Sequence, residues 1–255
     1  MFSDSYFEKF NLPDDLRQAL SQCRSIAYIE TQEELDELAF GPTHTSLYDV
    51  VYTIAGRGRV KEAEVIRCKN GALVNFMEDY MRRRDPNSMV ISDDLPTDKP
   101  RFRERFGYDF ASLRQETLDW FSTQRVIMLP FQAGDPHSGY DSLMICPANA
   151  AFFALALANM QGFVSIADIP EGYTPRAIIY VAPPFRHTHF NGRQVCVHNR
   201  LDDCHEVFSY NLYPGPSAKK GVYSVLLDIG EQEGWVTAHA SAARITTQYD
   251  NDIVI

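Results

Sequence analysis

Runs patterned as helices and runs patterned as strands alternate along the whole chain, and no repeat or low-complexity linker separates them. That interleaving points to one α/β domain spanning residues 1–255, built on a mixed β-sheet with flanking helices. Helical spacing marks residues 14–23, with Leu16, Ala19 and Leu20 on one face. It also marks residues 72–84 (Leu73, Phe76, Met77, Tyr80), 112–124 (Leu113, Leu118, Phe121) and the apolar run 149–161. Thr31-Gln-Glu-Glu34 is a capping box that opens a further helix, because the threonine hydroxyl and the glutamate can each satisfy an amide the helix leaves without a partner. Strand character appears at 25–29, 49–54, 64–67 and 126–129, and dominates from Ala177 onward at 177–182, 194–197, 207–210, 235–238 and 242–246. Residues 92–108, proline-containing and charged throughout, read as a long surface loop.

Composition narrows the class of partner. The 255 residues carry a net charge of −10, with 45 % apolar and 23 % charged residues. This is the balance of an ordinary globular protein and argues against a nucleic-acid footprint, so any anion site must be a local basic cluster. The five cysteines are widely spaced and contain no Cys-x-x-Cys pair, which suits free thiols. The longest apolar run, 148–162, is interrupted by Asn149 and Asn159 and is too short to span a bilayer. The N-terminus lacks the basic and apolar regions of a signal peptide. A cytoplasmic protein with no membrane partner is the expectation.

Four groups of residues could carry chemistry. Lys219 and Lys220 follow a Pro-Gly-Pro-Ser turn and open a helical run over 221–229, where backbone amides and two ammonium groups together favour an anion. The same pair also suits a solvated helix surface. Gly56-Arg57-Gly58-Arg59 interrupts two strands and places guanidinium groups on a flexible loop, a geometry for bidentate capture of carboxylate or phosphate, or simply a solvated basic turn. His239 stands among small residues in Thr-Ala-His-Ala-Ser, which leave room for a ligand beside its ring or for a structural hydrogen bond. His187 and His189, with His198 and His205, invite a metal-site reading, because His-x-His on one strand puts both rings on one face.

Five motifs then occur in a fixed order: Val181-Ala-Pro-Pro-Phe185, Tyr213-Pro-Gly215, Ser217-Ala-Lys-Lys-Gly-Val-Tyr-Ser-Val225, Ala238-His-Ala-Ser-Ala242 and Asp252-Ile-Val-Ile255. In that order they resemble the part of phosphoenolpyruvate carboxykinase that precedes its phosphate-binding loop, and more closely the carboxykinase-like DUF4914 family. The resemblance implies the N-terminal, substrate-binding domain of that fold and a nucleotide-dependent phosphoryl transfer coupled to decarboxylation of an oxaloacetate-like acid. It implies that Lys220 and His239 hold a divalent metal, manganese or magnesium. Arg57 and Lys219 would be the catalytic residues, with Arg57, Tyr213 and Lys219 contacting a small carboxylate or phosphate substrate.

The match has departures. Ser217-Ala218 replaces the family's Glu-Met, Gly58-Arg59 replaces Ser-Pro, and no asparagine follows Ser241-Ala242. Nor does the sequence contain Gly-x-x-x-x-Gly-Lys-[Ser/Thr]. Phosphoryl transfer needs such amides and lysine around the β- and γ-phosphates. ATP or GTP would therefore be handled by a C-terminal nucleotide-binding domain that this chain lacks, and the chain alone is not expected to be active. The other reading is a non-catalytic anion-binding or scaffold domain with the same fold. A third, weaker one is a metal-dependent hydrolase built on His187, His189 and His198, which requires those rings to converge.

Overall fold

The computed structural model describes residues 5–40, 47–77, 88–134, 139–213, 215–238, 244–246 and 252–254. Helices α1 (Ser5–Glu8) and α2 (Asp14–Ser21) lead into strand β1 (Ser25–Tyr28) and helix α3 (Gln32–Ala39). Thr31 caps α3 as its sequence requires, with both hydrogen bonds of the capping box formed. Strands β2 (Leu47–Ile54), β3 (Gly58–Arg67) and β4 (Leu73–Phe76) then make a small antiparallel sheet. The chain continues through β5 (Met89–Ile91), α4 (Phe102–Phe106), α5 (Phe110–Ser122), β6 (Arg125–Ala133), β7 (Tyr140–Pro147), α6 (Ala151–Met160) and β8 (Gly162–Phe163). After β9 (Ala177–Val181) come α7 (Phe185–His189), β10 (Val195–Arg200), β11 (His205–Tyr210), a π-helical turn over Gly215–Gly221 and α8 (Val222–Gln232). The short strands β12 (Arg244–Thr246) and β13 (Asp252–Val254) pair with each other.

Eight strands form the main sheet in the order β1-β6-β7-β9-β11-β10-β5, with β8 beside β6. The three central strands β7, β9 and β11 run parallel to one another, and β10 and β6 flank them antiparallel. β9 and β11 are buried at every position, as expected of strands covered on both faces. Side chains alternate between two apolar layers. One layer contains Met128, Ile145, Tyr180 and Phe208 and packs against Leu16 of α2 and Leu113 and Phe121 of α5. The other contains Leu129, Met144, Ile179 and Val207 and packs against α6, α8 and the inner face of the small sheet, Val50, Tyr52, Ala63 and Val65.

Glu206 ties the first layer together. Its carboxylate is fully buried and accepts from Arg114 Nη2 and Nε, both at 2.8 Å, from Tyr180 Oη at 3.0 Å and from Asn199 Nδ2 at 2.7 Å. The Arg114 guanidinium also reaches Asp15 on α2. Burial alone would raise the Asp15 carboxyl, but the hydrogen bond and charge of Arg114 hold it below the usual carboxylate value. With the folded pKa depressed, the stability from this contact is present above the unfolded carboxyl pKa and is lost as pH falls through the folded one.

Several sequence expectations change. The helical pattern over 72–84 is not a helix where it is described, since Leu73–Phe76 is β4, paired to β3; residues 78–84 lie outside the described residues. The expected loop over 92–108 contains α4, because Phe102 is buried against the rings of Phe106, Tyr108, Phe110 and Phe190. Residues 235–238 are not a strand, and 242–243 of the next expected strand lie outside the described residues. The five cysteines are free thiols. Among the described residues no helix is long and apolar enough to cross a membrane.

Substituting Arg114→Met keeps the length of the side chain but leaves the Glu206 charge buried without its partner. The expected cost is about 3–5 kcal/mol in urea-induced unfolding followed by circular dichroism. A loss under about 1 kcal/mol would show that Glu206 does not depend on the guanidinium.

Candidate functional site

Two segments of interest leave the same edge of the sheet. β9 and β11 are adjacent and parallel, so their carboxyl ends lie side by side. From the end of β9, Pro183 and Pro184 turn the chain into α7; from the end of β11, Asn211 to Tyr213 lead into the π-helical turn. In open α/β sheets the crevice at the carboxyl ends of strands is where ligands bind. This edge brings α7 and the lysine turn into one region.

Arg57 enters that region from the small sheet. It sits in the tight connection between β2 and β3, where Ile54 pairs with Gly58 and the Arg57 amide donates to Ile54 O at 3.0 Å. Gly56 and Gly58 both have φ of +74°, a left-handed conformation that side chains resist. The glycines on either side of Arg57 therefore serve the turn, and the guanidinium is presented at its tip. Its Nη1 lies 3.5 Å from His187 Nδ1, at the long end of hydrogen-bond range.

Behind His187 stands Glu62, which the sequence reading missed. The β2–β3 ladder shifts register between Val50 and Val51, pairing them with Ala63 and Lys61 and leaving Glu62 as the extra residue of a β-bulge. A bulge re-aims a side chain. Here it turns a carboxylate inward, so that Glu62 and Ala63 are both buried in succession. Glu62 Oε2 meets His187 Nε2 at 2.7 Å, and Oε1 pairs with Arg186 Nε. Arg186 Nη1 in turn donates to Gly192 O at 2.7 Å. Arginine has no acceptor, so the contact from Arg57 requires an unprotonated Nδ1 on His187, and the ring proton then sits on Nε2 and is donated to Glu62. Glu62 and Arg186 neutralise each other, and the Arg57 charge remains at the exposed end of the cluster.

The other expected site residues are placed as follows. Tyr213 is half-buried, and its amide donates to Asn211 Oδ1 at 2.9 Å. Lys219 and Lys220 lie within the π-helical turn rather than at the start of an α-helix, and both side chains are exposed. The turn is anchored by its buried residues Ser217 and Ala218. Lys220 Nζ stands 5.6 Å from the centroid of the Tyr223 ring, a cation–π contact. His239 lies outside the described residues.

A lysine ligates a metal only as the neutral amine, whereas the contact of Lys220 with Tyr223 uses the ammonium charge. As arranged, Lys220 does not fit a metal. The histidine trio does not converge either. His187 and His189 belong to a helix rather than a strand, and His187 faces Glu62. His189 faces Glu116 at 3.1 Å, and His198 faces His205 at 2.9 Å. Cys196, beside His198, is no nucleophile, since burial pushes its thiol up to about 12. A cleft of about 870 Å³ between β1, α3 and β2 carries four carboxylates, Glu30, Glu34, Glu37 and Asp49, against one cation, Arg125. Those carboxylates repel anions, so the cleft is not a rival for the ligand that Arg57 suits.

Fold and site together define a mixed α/β domain with a buried carboxylate–histidine support behind an exposed arginine. Residues 12–255 match the family model described as Domain of unknown function (DUF4914), and the chain belongs to that family. No curated protein matches the sequence. The family membership bears out one half of the resemblance; the comparison with phosphoenolpyruvate carboxykinase rests on the motifs alone.

Glu62→Gln keeps the size of the side chain but removes the charge that balances Arg186. We expect a loss of about 3 kcal/mol in denaturant unfolding at pH 7, as for other buried pairs broken on one side. A variant as stable as the parent would show that Arg186 is neutralised by another group.

Proposed function

We propose that this domain is the substrate-binding half of a phosphoenolpyruvate carboxykinase-like enzyme that takes an oxaloacetate-like or phosphoenolpyruvate-like acid. The observation that carries the reading is Arg57, held at a glycine-flanked hairpin tip against a neutral His187 whose far nitrogen is fixed by buried Glu62. A guanidinium so placed offers paired donors to a carboxylate. The emergence of α7 and the lysine turn from adjacent strand ends supports it, since Lys219 and Lys220 then add positive charge to the same edge. Nucleotide handling and metal binding belong to the same proposal through the motif resemblance. They would require His239, a rearranged Lys220 and a phosphate-binding loop supplied from a further domain or chain.

In this reading Arg57 orients the substrate carboxylate, and Lys219 stabilises the enolate charge that develops as the C–C bond breaks, carbon dioxide departs and the bonding electrons stay on the substrate. The second reading, a non-catalytic anion-binding or scaffold domain, is favoured by Lys220, whose ammonium is engaged with Tyr223.

Calorimetric titration with phosphoenolpyruvate, with and without manganese, separates the two. The enzyme reading expects binding that manganese strengthens. It also expects Arg57→Gln to weaken that binding at least tenfold, about 1.4 kcal/mol, the scale of one charge-assisted hydrogen bond. Absence of phosphoenolpyruvate binding, or equal affinity in Arg57→Gln, would overturn the role of Arg57. Binding that is indifferent to manganese would favour the scaffold.

A further inference from the structure

Strand β1 ends the main sheet and strand β2 ends the small one, and the chain passes from the first to the second through α3. These three elements wall the cleft of about 870 Å³, within the range of about 300–1,000 Å³ that suits small organic ligands. α3 buries Leu35 and Ala39 in the core, and its helical spacing turns Glu34, Glu37 and Leu38 to the cleft instead. The apolar lining of the cleft comes from Ile26, Ala27, Leu38 and Ala148, and two aromatic rings, Tyr28 and Tyr48, stand beside them. The anion site uses none of these residues.

The carboxylates of the cleft are oriented by neutral donors. Glu30 Oε1 accepts from Tyr6 Oη at 2.9 Å, and Glu34 Oε2 accepts from the amides of Glu30 at 2.9 Å and Thr31 at 3.3 Å. Such bonds hold the groups in place without cancelling their charge. Asp49 pairs with Lys61 at 3.5 Å. Glu30, Glu34 and Glu37 then face one cation of the lining, Arg125, whose Nε donates to Ser25 Oγ at 3.2 Å. Lys9 lies over the Tyr6 ring but is bound to the carbonyls of Ala167 and Ile169. Within the lining, two negative charges are thus left for a ligand to balance. The tyrosines suit such a ligand twice over, since an aromatic face attracts a cation and also packs against apolar groups.

We propose that this cleft binds a small organic diammonium cation, with its ammonium groups among Glu30, Glu34 and Glu37 and its methylene body on Ile26, Ala27 and Leu38. The site is separate from the anion site and independent of what Arg57 binds. Each part of the ligand answers one property of the cleft. A single ammonium leaves a negative charge unmatched, and a dicarboxylate meets repulsion. An inorganic cation balances charge but leaves the apolar lining wet, so it forgoes the gain from covering that surface. Because Glu30, Glu34 and Glu37 are exposed, the charged share of the affinity is screened by salt, whereas the apolar share remains.

Calorimetric titration of the full chain at low salt, with diaminooctane charged at both ends, octylamine and octanedioate, tests this. The diamine should bind at least about fivefold more tightly than octylamine, the upper end of what an exposed ion pair contributes. Octanedioate should not bind in the cleft. Glu37→Lys, at an exposed position of α3, should weaken the diamine at least about tenfold, since it removes one attraction and adds one repulsion. Glu104→Lys makes the same change in net charge on α4 and should leave the affinity as it is. Amide shifts on diamine binding should gather at residues 26–30, 34–38, 48 and 49. No diamine binding, equal affinity for octylamine, octanedioate in the cleft, equal losses in Glu37→Lys and Glu104→Lys, or shifts centred outside the cleft would each overturn the site.

Discussion

The structure depends on a charge it could not bury alone. Glu206 lies in the middle of the sheet with no exposed surface, and four hydrogen bonds from Arg114, Tyr180 and Asn199 occupy its oxygens. Ion pairs of this kind add little net stability, because desolvation offsets most of the attraction, but breaking one side is costly. Their effect is to forbid other arrangements. Only when α5 sits over β9 and β11 does Arg114 reach Glu206, and only then does its remaining nitrogen reach Asp15 on α2. One carboxylate therefore sets how the helical layer lies on the strands.

β11 carries two polar systems on opposite faces because side chains alternate along a strand. Glu206 points with Phe208 and Tyr210 toward α5, and His205 and Ser209 point toward α8. The two differ in kind. The Glu206 system is built on full charges, one guanidinium held between two carboxylates. The histidine group on the other face is held by ring nitrogens, a thiol and hydroxyls, with one carboxylate, Asp228, at its end.

Much of this was legible from sequence. The capping box at Thr31, the buried strand at Ala177 and the apolar helix near Asn149 follow from local rules, and the structure has them. Residues 73–76 misled because Leu73, Phe76 and Met77 have helical spacing, yet β3 offers an open edge and pairing to it overrides local preference. His-x-His spacing suggests one face of a strand at His187 and His189, yet Pro183 and Pro184 turn the chain into a helix there. Glu62 could not be found at all. In Lys61-Glu-Ala-Glu64 it looks like one of several surface charges, and only the register shift of the ladder turns it inward. The DUF4914 family match covers residues 12–255, beyond the last third of the chain that carries the motifs, and does not bear on their likeness to phosphoenolpyruvate carboxykinase.

The two ends of the candidate site are supported by unlike means. Arg57 stands on a side chain fixed by Glu62 and Arg186, a charged pair whose geometry is set by the bulge in β3 and by the helix after β9. Lys219 and Lys220 stand on a π-helical turn whose hold on the sheet runs through Ser217. π-Helical turns strain the regular ladder and persist where something else fixes them. The glycine-flanked hairpin tip and the π-helical turn thus carry the positive charge, and the bulge supplies the buried carboxylate behind it, in a protein of net charge −10. A ligand bridging tip and turn would draw on a guanidinium braced by a buried ion pair and on lysines carried by a turn held to the sheet through a serine–serine contact.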